Sequence, residues 1–252
     1  MNERRSLVFD RVAHCYDATR GGESRGARVA TGLEPWLADG PVLEVGVGTG
    51  LVAAPLADRG HPVFGIDLSP AMLALAAARL GTGRLALGDG LALPVADGAV
   101  STVLFVHALH AIGDVGAALA EAARVVRPGG RVVATHGGAT DAPTDISAAM
   151  SPSEPLHTRI DRPDAVRAAG RAAGLALVWT GDTAPVPDRE SPQELAQLVR
   201  DRAFAWLWDV DDAAWAQYVT PALERLAALP DQDRPREFLR RHRVTVWDRP
   251  PA

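Results

Sequence analysis

An α/β fold, in which helices cover both faces of a mostly parallel sheet, is predicted by three features of this 252-residue chain. Short apolar runs alternate along the chain with segments of helical periodicity. The apolar runs are continuous, which is typical of parallel strands buried on both faces. The composition, 47% hydrophobic and 23% charged, is that of a globular protein with one sizeable core. We expect a single domain with a helical lid over residues 1–35, a core over 36–187, and a helical insertion plus the last strand over 188–252.

The lid is predicted from a short amphipathic pattern at the N-terminus. Leu7, Val8 and Val12 fall on one face of a helix, and arginines suit the opposite face. The pattern then breaks in the stretch Tyr-Asp-Ala-Thr-Arg-Gly-Gly, which begins at Tyr16. A helix packed on the sheet, with Tyr16 as a partly buried anchor, explains this segment without any functional role.

The first strand and the turn after it indicate a binding site. Val42 to Val47 form a short apolar run, and Gly46, Gly48 and Gly50 mark its end. Glycine lets the backbone turn sharply and approach a ligand closely, because it has no Cβ. The helical pattern over residues 51–57 places this turn at the start of a helix, where nucleotides commonly bind.

Two acidic residues narrow the class of ligand. Glu44 stands near the end of the first strand, where its carboxylate would repel a pyrophosphate but suit a ligand that carries an ammonium group. The glycines are also spaced more tightly than in the G-x-G-x-x-G pattern of NAD-binding proteins. Asp67 ends the second apolar run, about 20 residues after the first glycine, where an acidic residue accepts hydrogen bonds from ribose hydroxyls. Adenosine joined to an amino acid, as in S-adenosylmethionine, fits this pattern better than NAD.

The elements that follow continue the alternation of helix and strand. Ser69 and Pro70 suit the N-cap and first residue of a helix over 70–80. Further strands are expected over 84–87, 100–106, 131–135, 175–179 and 244–247, and further helices over 115–126 and 163–173. Residues 136–160 carry no period and are rich in small and polar residues, so we expect a long loop there.

Two helices are predicted to form the insertion before the last strand. Ser191 to Glu194 is a capping box that starts the first helix, which runs towards Trp208. The second begins at Asp211 or Asp212 and is interrupted at Pro221. The aromatic residues of this segment either pack the insertion onto the sheet or line a substrate pocket.

Four segments, in order, resemble the motifs of the class I S-adenosylmethionine-dependent methyltransferases that act on small molecules. They are Val42–Gly50, Gly65–Met72, Gly88–Pro94 and Val125–Val133. The resemblance implies a Rossmann-like sheet of seven mostly parallel strands, S-adenosylmethionine as cofactor and a small-molecule acceptor. Ser101 departs from the family, which usually has Asp there, but it lies at the end of its strand away from the cofactor site.

The resemblance also implies roles for residues around the cofactor. Glu44, with Gly46, Gly48 and Gly50, would hold the methionine end, and Asp67 would hold the ribose. The two carboxylates can bind an ammonium group or hydroxyls, and the glycines, which have no Cβ, leave room for the ligand.

The adenine and the closing segment involve a second set of residues implied by the family. Leu68 and Met72 would sandwich the adenine, although Met72 also suits the core. Asp89 would accept from the adenine amino group, and the backbone N–H of Gly90 would read a ring nitrogen. The remaining residues expected at the cofactor are Tyr16 and Arg20, which would close over the methionine moiety, and His107.

Histidine is the natural general base if the acceptor must lose a proton. His107 and His110 follow the fourth predicted strand, and His136 ends the fifth, so all three should open towards the site. His157 and His14 are further candidates, and a structural role is an alternative for each one. None of the histidines has the H-x-x-x-H or H-E-x-x-H spacing of zinc enzymes, so no metal site is predicted.

Composition excludes several other classes of protein. All 26 basic residues are arginine, which excludes a lysine Schiff base and a phosphate-binding loop with an essential lysine. A net charge of −5 favours neither nucleic acid nor an anionic membrane surface as a partner. Cys15 is the only cysteine, and no apolar run has the length of a signal peptide or membrane span, so we expect a cytoplasmic protein.

We therefore expect an enzyme that methylates a small, hydrophobic or aromatic metabolite, with oxygen as the first choice of acceptor atom and nitrogen or carbon next. A homodimer is one option for its oligomeric state. The alternatives are a protein of this fold that binds S-adenosylmethionine but does not methylate, or catalyses another reaction, and an NAD-dependent oxidoreductase, which the glycine spacing disfavours.

Overall fold

The structure, a computed structural model, describes residues 9–14, 16–17, 21–157 and 160–251. The strands are β1 (Val42–Val45), β2 (Val63–Asp67), β3 (Leu85–Leu87), β4 (Val100–Val106), β5 (Val126–Thr140), β6 (Ala176–Asp182), β7 (Val186–Glu190) and β8 (Arg236–Asp248). The helices are α1 (Gly22–Leu33), α2 (Ala53–Asp58), α3 (Pro70–Leu80), α4 (Leu109–Ile112), α5 (Val115–Val125), α6 (Asp145–Ala149), α7 (Pro163–Ala172), α8 (Pro192–Arg200), α9 (Asp212–Ala214) and α10 (Thr220–Ala227). Within these residues, no helix is both long and apolar enough to cross a membrane.

The strands form one mixed sheet in the order β3-β2-β1-β4-β5-β8-β6, and β7 pairs with β8 outside this path. Strands β1 to β5 pair in parallel, whereas β6 and β7 are antiparallel to β8. The predicted Rossmann-like sheet of seven mostly parallel strands is therefore confirmed. The strand order reverses at β1 and β4, and the carboxyl ends of strands at such a point form the crevice in which α/β sheets bind ligands.

Neighbouring residues of each central strand belong to different hydrophobic clusters, so the sheet is covered on both faces. On β1, Val42 packs with Leu33 and Leu56 from α1 and α2, whereas Leu43 packs with Leu119 of α5. The same alternation continues on β4 and β5. Because successive side chains of a strand point to opposite faces, a continuous apolar run fills two clusters at once.

The chain forms two compact units. The first contains residues 1–137, 160–184 and 242–252, and the second contains residues 138–159 and 185–241. The first unit holds β1 to β4 and the helices that flank them. The prediction of a single domain with a lid over residues 1–35 and an insertion over 188–252 stays a prediction.

The second unit has its own hydrophobic cluster, built around Leu207, Val219 and Leu226. The predicted capping box is confirmed, since the Ser191 hydroxyl accepts from the Glu194 N–H and the Glu194 carboxylate accepts from the Ser191 N–H. The second predicted helix is irregular just before Pro221, because a π-helical turn over Trp215–Val219 precedes α10, and it continues through Pro221. Three aromatic residues of this segment, Phe204, Trp206 and Trp215, pack against this cluster, and the rings of Phe204 and Trp206 stack with centroids 6.1 Å apart.

Three expectations about the chain after β4 are wrong. Residues 136–160 are not one long loop, because they contain the end of β5, the helix α6 and a 3₁₀-helix over Ser151–Leu156. Thr144 caps α6 reciprocally with Ser147, a serine where the usual pattern has Glu or Gln. The last strand is much longer than 244–247, and β7 is a strand that was not predicted. Both were missed because their polar residues interrupt the apolar pattern by which a buried strand is recognised.

Candidate functional site

A cleft opens at the carboxyl ends of the parallel strands, and its enclosed volume is about 90 Å³. The residues that line it are Phe9, Tyr16, Val45, Gly46, Gly48, Ile66, Asp67, Leu68, Met72, Gly88, Asp89, Gly90, Val106, His107, Ala108, Ala111 and Ile112. All of them belong to the first unit. The cleft therefore contains most of the residues expected at the cofactor.

The glycine turn approaches the cleft with backbone alone. Gly46 has φ +74°, and a Cβ at this position would lie only 2.7 Å from the Cβ of Ala108. The N–H groups of Gly46 and Val47 both donate to the carbonyl of Ile66, at 2.8 and 3.0 Å. Gly50, which was expected at the cofactor, does not line the cleft, and it packs against α3 near Ala76. Only glycine satisfies both the backbone conformation and the close packing at residue 46.

Asp67 is held in place at the end of β2 by two backbone donors. Its Oδ2 accepts from the Gly48 N–H at 2.8 Å, and its Oδ1 accepts from the Ser69 N–H at 2.9 Å. Burial raises the pKa of Asp67, and the bonds from Ser69 and Gly48 oppose that shift. The carboxylate is thus oriented before any ligand binds, and each oxygen keeps lone pairs for further donors.

Glu44 is placed differently from the expectation that it contacts the methionine end directly. The residue is only 2% exposed and does not line the cleft. Its Oε2 has no hydrogen-bond partner within the described part of the chain. Burial, followed by repulsion from Asp67, raises the pKa of Glu44 to about 8, and the backbone N–H of Ala53 opposes the shift. Glu44 is therefore a buried carboxyl group below the glycine turn.

The opposite wall of the cleft contains the residues expected at the adenine. Asp89 accepts a hydrogen bond from the Leu91 N–H at 3.0 Å in a tight turn. Gly90 has no side chain there, and a Cβ at this position would lie 3.0 Å from the Ile112 side chain. Leu68 also lines the cleft. Met72 lines it too, but the residue is 1% exposed and packs with the N-terminal segment, so its core role is clear.

The N-terminal segment contributes two aromatic residues to the cleft, Phe9 and Tyr16, whose ring centroids lie 6.4 Å apart. Residues 9–14 and 16–17 are helical. Asp10 anchors this segment to the start of α3, where its Oδ1 accepts from the Ser69 hydroxyl at 2.5 Å and the Ala71 N–H at 3.2 Å. Arg20, expected to close over the methionine moiety, lies outside the described residues.

A second anchor joins the N-terminal segment to the glycine turn. Asp17 accepts from the Thr49 hydroxyl at 2.5 Å and forms an ion pair of 2.7 Å with Arg79 of α3. Arg79 also donates to the Thr49 carbonyl at 2.8 Å. Sequence reasoning missed Asp10, Thr49 and Arg79, because each is far in sequence from its partner and has no local signal.

His107 is the one of the three proposed base residues that lines the cleft. Its φ is +53°, and its N–H donates to the carbonyl and hydroxyl of Thr135. The His107 ring meets the edge of the His242 ring, with centroids 4.4 Å apart. His242 is 2% exposed, and its Nε2 lies 3.3 Å from Nη2 of Arg25. Neither His242 nor Arg25 was identified from the sequence.

The other two histidines lie beside the cleft. His136 is fully buried, and its Nε2 lies 2.8 Å from the Thr245 hydroxyl. Burial lowers the pKa of His136, and Asp161 opposes the shift. The His110 side chain is 39% exposed, and its Nδ1 lies 4.0 Å from Oδ2 of Asp161. The burial of His136 disfavours a contact with substrate, whereas His110 is accessible.

Two further histidines were candidates from the sequence. His157 lies beside Trp206 within the second unit, with ring centroids 4.3 Å apart and the rings tilted by 49°, and His14 is exposed. No group of three or more His, Cys, Asp or Glu residues that could hold a metal ion occurs within the described ranges.

Comparison with known proteins assigns the segment that builds this cleft to a family. Residues 43–134 match the family described as Methyltransferase domain. The demethylmenaquinone methyltransferase of Tropheryma whipplei is 37% identical over 136 residues, which cover 50% of this chain and 56% of that protein. The chain thus spans about half the length of the curated relatives it matches.

Solved structures extend the similarity over nearly the whole chain, at the level of the fold. The (4+2)-cyclase SpnF superimposes with a TM-score of 0.63 at 18% identity, over 98% of this chain and 96% of that one. Geranyl diphosphate C-methyltransferase from Streptomyces coelicolor superimposes with a TM-score of 0.54 at 16% identity, over 88% of this chain and 78% of that one. At these identities the likeness establishes a shared fold.

Proposed function

We propose that this chain is a class I S-adenosylmethionine-dependent methyltransferase that transfers a methyl group from S-adenosylmethionine to a small, hydrophobic or aromatic metabolite. The observation that carries the proposal is the hydrogen bond between the glycine turn and Asp67 inside the cleft. This bond connects the glycine turn and Asp67, the two motifs with which the family binds a nucleoside that carries an amino acid.

The residues of the cleft fit this cofactor. Backbone at Gly46 and Gly48 leaves room for the methionine end, and the oriented carboxylate of Asp67 suits two ribose hydroxyls. Asp89 and Gly90 offer an acceptor and a donor for the adenine. We propose that Glu44 serves the methionine end from beneath the turn, because a bound ammonium group would favour the ionised form of this buried carboxyl group. The cofactor, when bound, supplies an electrophilic methyl group on a positively charged sulfur.

The protein's own contribution is mainly positioning. We propose that Phe9 and Tyr16, which line the cleft from the N-terminal segment, cover the bound cofactor and keep water from the reacting groups. Fixing two reactants in a productive geometry can contribute roughly 7–11 kcal/mol to lowering a barrier. We propose that His107, which lines the cleft, or His110, whose side chain is 39% exposed on the adjoining helix, takes a proton from the acceptor. Such a step is commonly worth about 100- to 10,000-fold.

The acceptor is proposed to be apolar because apolar side chains outnumber polar ones in the cleft wall and the matched relative is named for a quinone-type substrate. Oxygen, the first choice from the sequence, gains no support from the relatives' names. Carbon is favoured instead by the name of geranyl diphosphate C-methyltransferase. Mass spectrometry of a methylated product, with the methyl position assigned by NMR, distinguishes the two atoms.

A thermal-unfolding experiment tests the cofactor assignment directly. The wild-type protein, Asp67→Ala and the control Asp58→Asn are heated with S-adenosylmethionine, S-adenosylhomocysteine or NAD; Asp58 is exposed at the end of α2. A ligand at about 100 times its dissociation constant adds about 2.7 kcal/mol to the free energy of unfolding, which raises the melting temperature by a few degrees. We expect a shift with both S-adenosyl ligands that Asp67→Ala abolishes and the control keeps. A shift with NAD alone would overturn the proposal.

A second candidate function uses the same cofactor site without methyl transfer. It is favoured by the whole-chain likeness to a cyclase, since one fold can serve several reactions. Methylation forms S-adenosylhomocysteine in step with product, whereas a cyclase or a binding protein leaves the cofactor unchanged. Chromatography of the cofactor after incubation with candidate quinols, phenols and prenyl diphosphates separates these functions.

A further inference from the structure

We propose that Asp161 is a positioning residue that holds the imidazole of His110 with its Nδ1 protonated, so that Nε2 can take a proton from the methyl acceptor. The inference rests on the proposed function, because it assigns His110 as the base of that reaction. No motif in the sequence marks Asp161.

The contact between the two side chains is a long one that a small movement would convert into a hydrogen bond. Oδ2 of Asp161 lies 4.0 Å from Nδ1 of His110 and 3.5 Å from the backbone nitrogen of Gly137. Contacts of catalytic groups are often long in unliganded proteins. At 4.0 Å the negative carboxylate already favours a proton on the ring nitrogen that faces it. The order of groups, from buried carboxylate to Nδ1 with Nε2 beyond it, is the one that orients the base in Ser-His-Asp triads.

Asp161 is buried, and burial makes a carboxylate costly unless a charged or polar group faces it. The residue is 4% exposed, and the titratable groups that face it are His110 on α4 and His136 on β5. Two arginines face His136, namely Arg167 on α7 and Arg243 on β8, and their positive charges lower the pKa of that histidine.

Of these groups, His110 is the one that can take up a positive charge beside Asp161 during a reaction. His136 is fully buried and bonded to Thr245, so a positive charge there is disfavoured. Arg243 forms an ion pair of 2.6 Å with Asp182. His110 keeps 39% of its side chain exposed, and its neighbours Ala108, Ala111 and Ile112 line the cleft. The accessible imidazole therefore sits on the helix that forms the cleft wall.

The proton transfer balances without any further reactant. The electron pair of the acceptor atom forms the bond to the methyl carbon, and the pair of the broken carbon–sulfur bond stays on sulfur. The proton of the acceptor moves to Nε2 of His110. The Asp161 carboxylate faces the imidazolium that results and stabilises it by the attraction of opposite charges.

The test needs no acceptor, because the nitrogen chemical shifts of histidine report which ring nitrogen carries the proton. Protein labelled with ¹⁵N-histidine is examined at a pH where the imidazole is neutral, and His110 is assigned by the signal lost in His110→Gln. We expect the Nδ1-protonated form to dominate in the wild type, to become the minor form in Asp161→Ala, and to return in Asp161→Glu. Asp164→Ala, a change of an exposed aspartate near the start of α7, should leave the spectrum unchanged.

A wild-type spectrum with His110 protonated on Nε2 would overturn the proposal, and this measurement holds even if Asp161→Ala does not fold. An Nδ1-protonated form that persists in folded Asp161→Ala would overturn it as well. Thermal shifts with S-adenosylhomocysteine on the same samples report cofactor binding separately. Failure of the cofactor assignment is thereby distinguished from failure of the role of Asp161.

Discussion

The backbone N–H of Gly48 donates to the Asp67 carboxylate over 2.8 Å, which joins the turn after β1 to the end of β2. The strands themselves are paired in parallel, with Val45 beside Ile66. Their carboxyl ends therefore lie side by side, and a loop from one reaches an acidic side chain on the other. This relationship connects the two parts of the cleft that the sequence identified separately.

Asp67→Asn is predicted to weaken cofactor binding. The substitution keeps an oxygen for the Gly48 N–H but replaces one charged acceptor by an amide donor. Hydrogen bonds to charged groups are worth about 1.5–3 kcal/mol, so we expect a loss of about 10- to 150-fold in affinity. Isothermal titration with S-adenosylhomocysteine measures the change, and Asp58→Asn is the control. Equal affinities for the wild type and Asp67→Asn would contradict a ribose role.

Glu44→Gln is predicted to remove a pH dependence of stability. Because burial raises the pKa of Glu44 to about 8, the folded protein keeps a proton that the unfolded chain releases above its ordinary value of 4.5. Stability due to this group is therefore full below the ordinary pKa and falls as pH rises to about 8, by about 1.4 kcal/mol per unit. The amide cannot ionise, so the variant should be the more stable protein at high pH.

Urea unfolding at several pH values measures the effect of Glu44→Gln. The two proteins should have similar stability in mild acid and diverge in mild alkali. Glu34→Gln is the matched control, since hydrogen bonding to His61 lowers the pKa of that exposed carboxyl group. Parallel stability curves for wild type and Glu44→Gln would show that Glu44 titrates normally.

Breaking the anchor between Asp17 and Arg79 is predicted to speed release of the cofactor. The pair joins the N-terminal segment to α3 and is only partly exposed, 30% and 23% for the two side chains. Pairs of this kind contribute about 0.2–1 kcal/mol, so Asp17→Asn should raise the dissociation rate by about 2- to 5-fold. Stopped-flow displacement of S-adenosylhomocysteine gives the rate.

A double-mutant cycle tests whether that effect comes from the pair. If it does, Arg79→Met should add little to Asp17→Asn. The control is Arg162→Met, which breaks the exposed contact with Asp164. An additive effect of the two substitutions would mean that Asp17 and Arg79 act independently.

Gly46→Ala is predicted to destabilise the fold more than Gly60→Ala. Both glycines have positive φ, +74° and +94°, but only a Cβ at Gly46 meets another atom, the Ala108 Cβ at 2.7 Å. Backbone strain is common to both variants, and overpacking adds about 1–3 kcal/mol at Gly46. Chemical denaturation of the two variants isolates that difference, and equal losses would contradict the close approach.

The sequence alone predicted the features that depend on residues close together in the chain. The glycine turn needs three glycines within five residues, and Ser69 caps α3 through the N–H of Met72 three residues later. The central strands were recognisable because burial on both faces requires continuous apolar runs. Strands of polar composition, such as β7 and the first half of β8, gave no such pattern and were missed.

The tertiary structure alone decided which distant residues meet. Asp161 faces His110, Asp17 reaches Arg79, and His242 packs against His107 although each pair is far apart in sequence. A residue's place at the end of a strand also does not determine on which face of the sheet its side chain lies, since neighbouring residues point in opposite directions. His136 is therefore buried, whereas His107 lines the cleft. Local conformation follows from local residues, but these contacts depend on how whole strands and helices pack together.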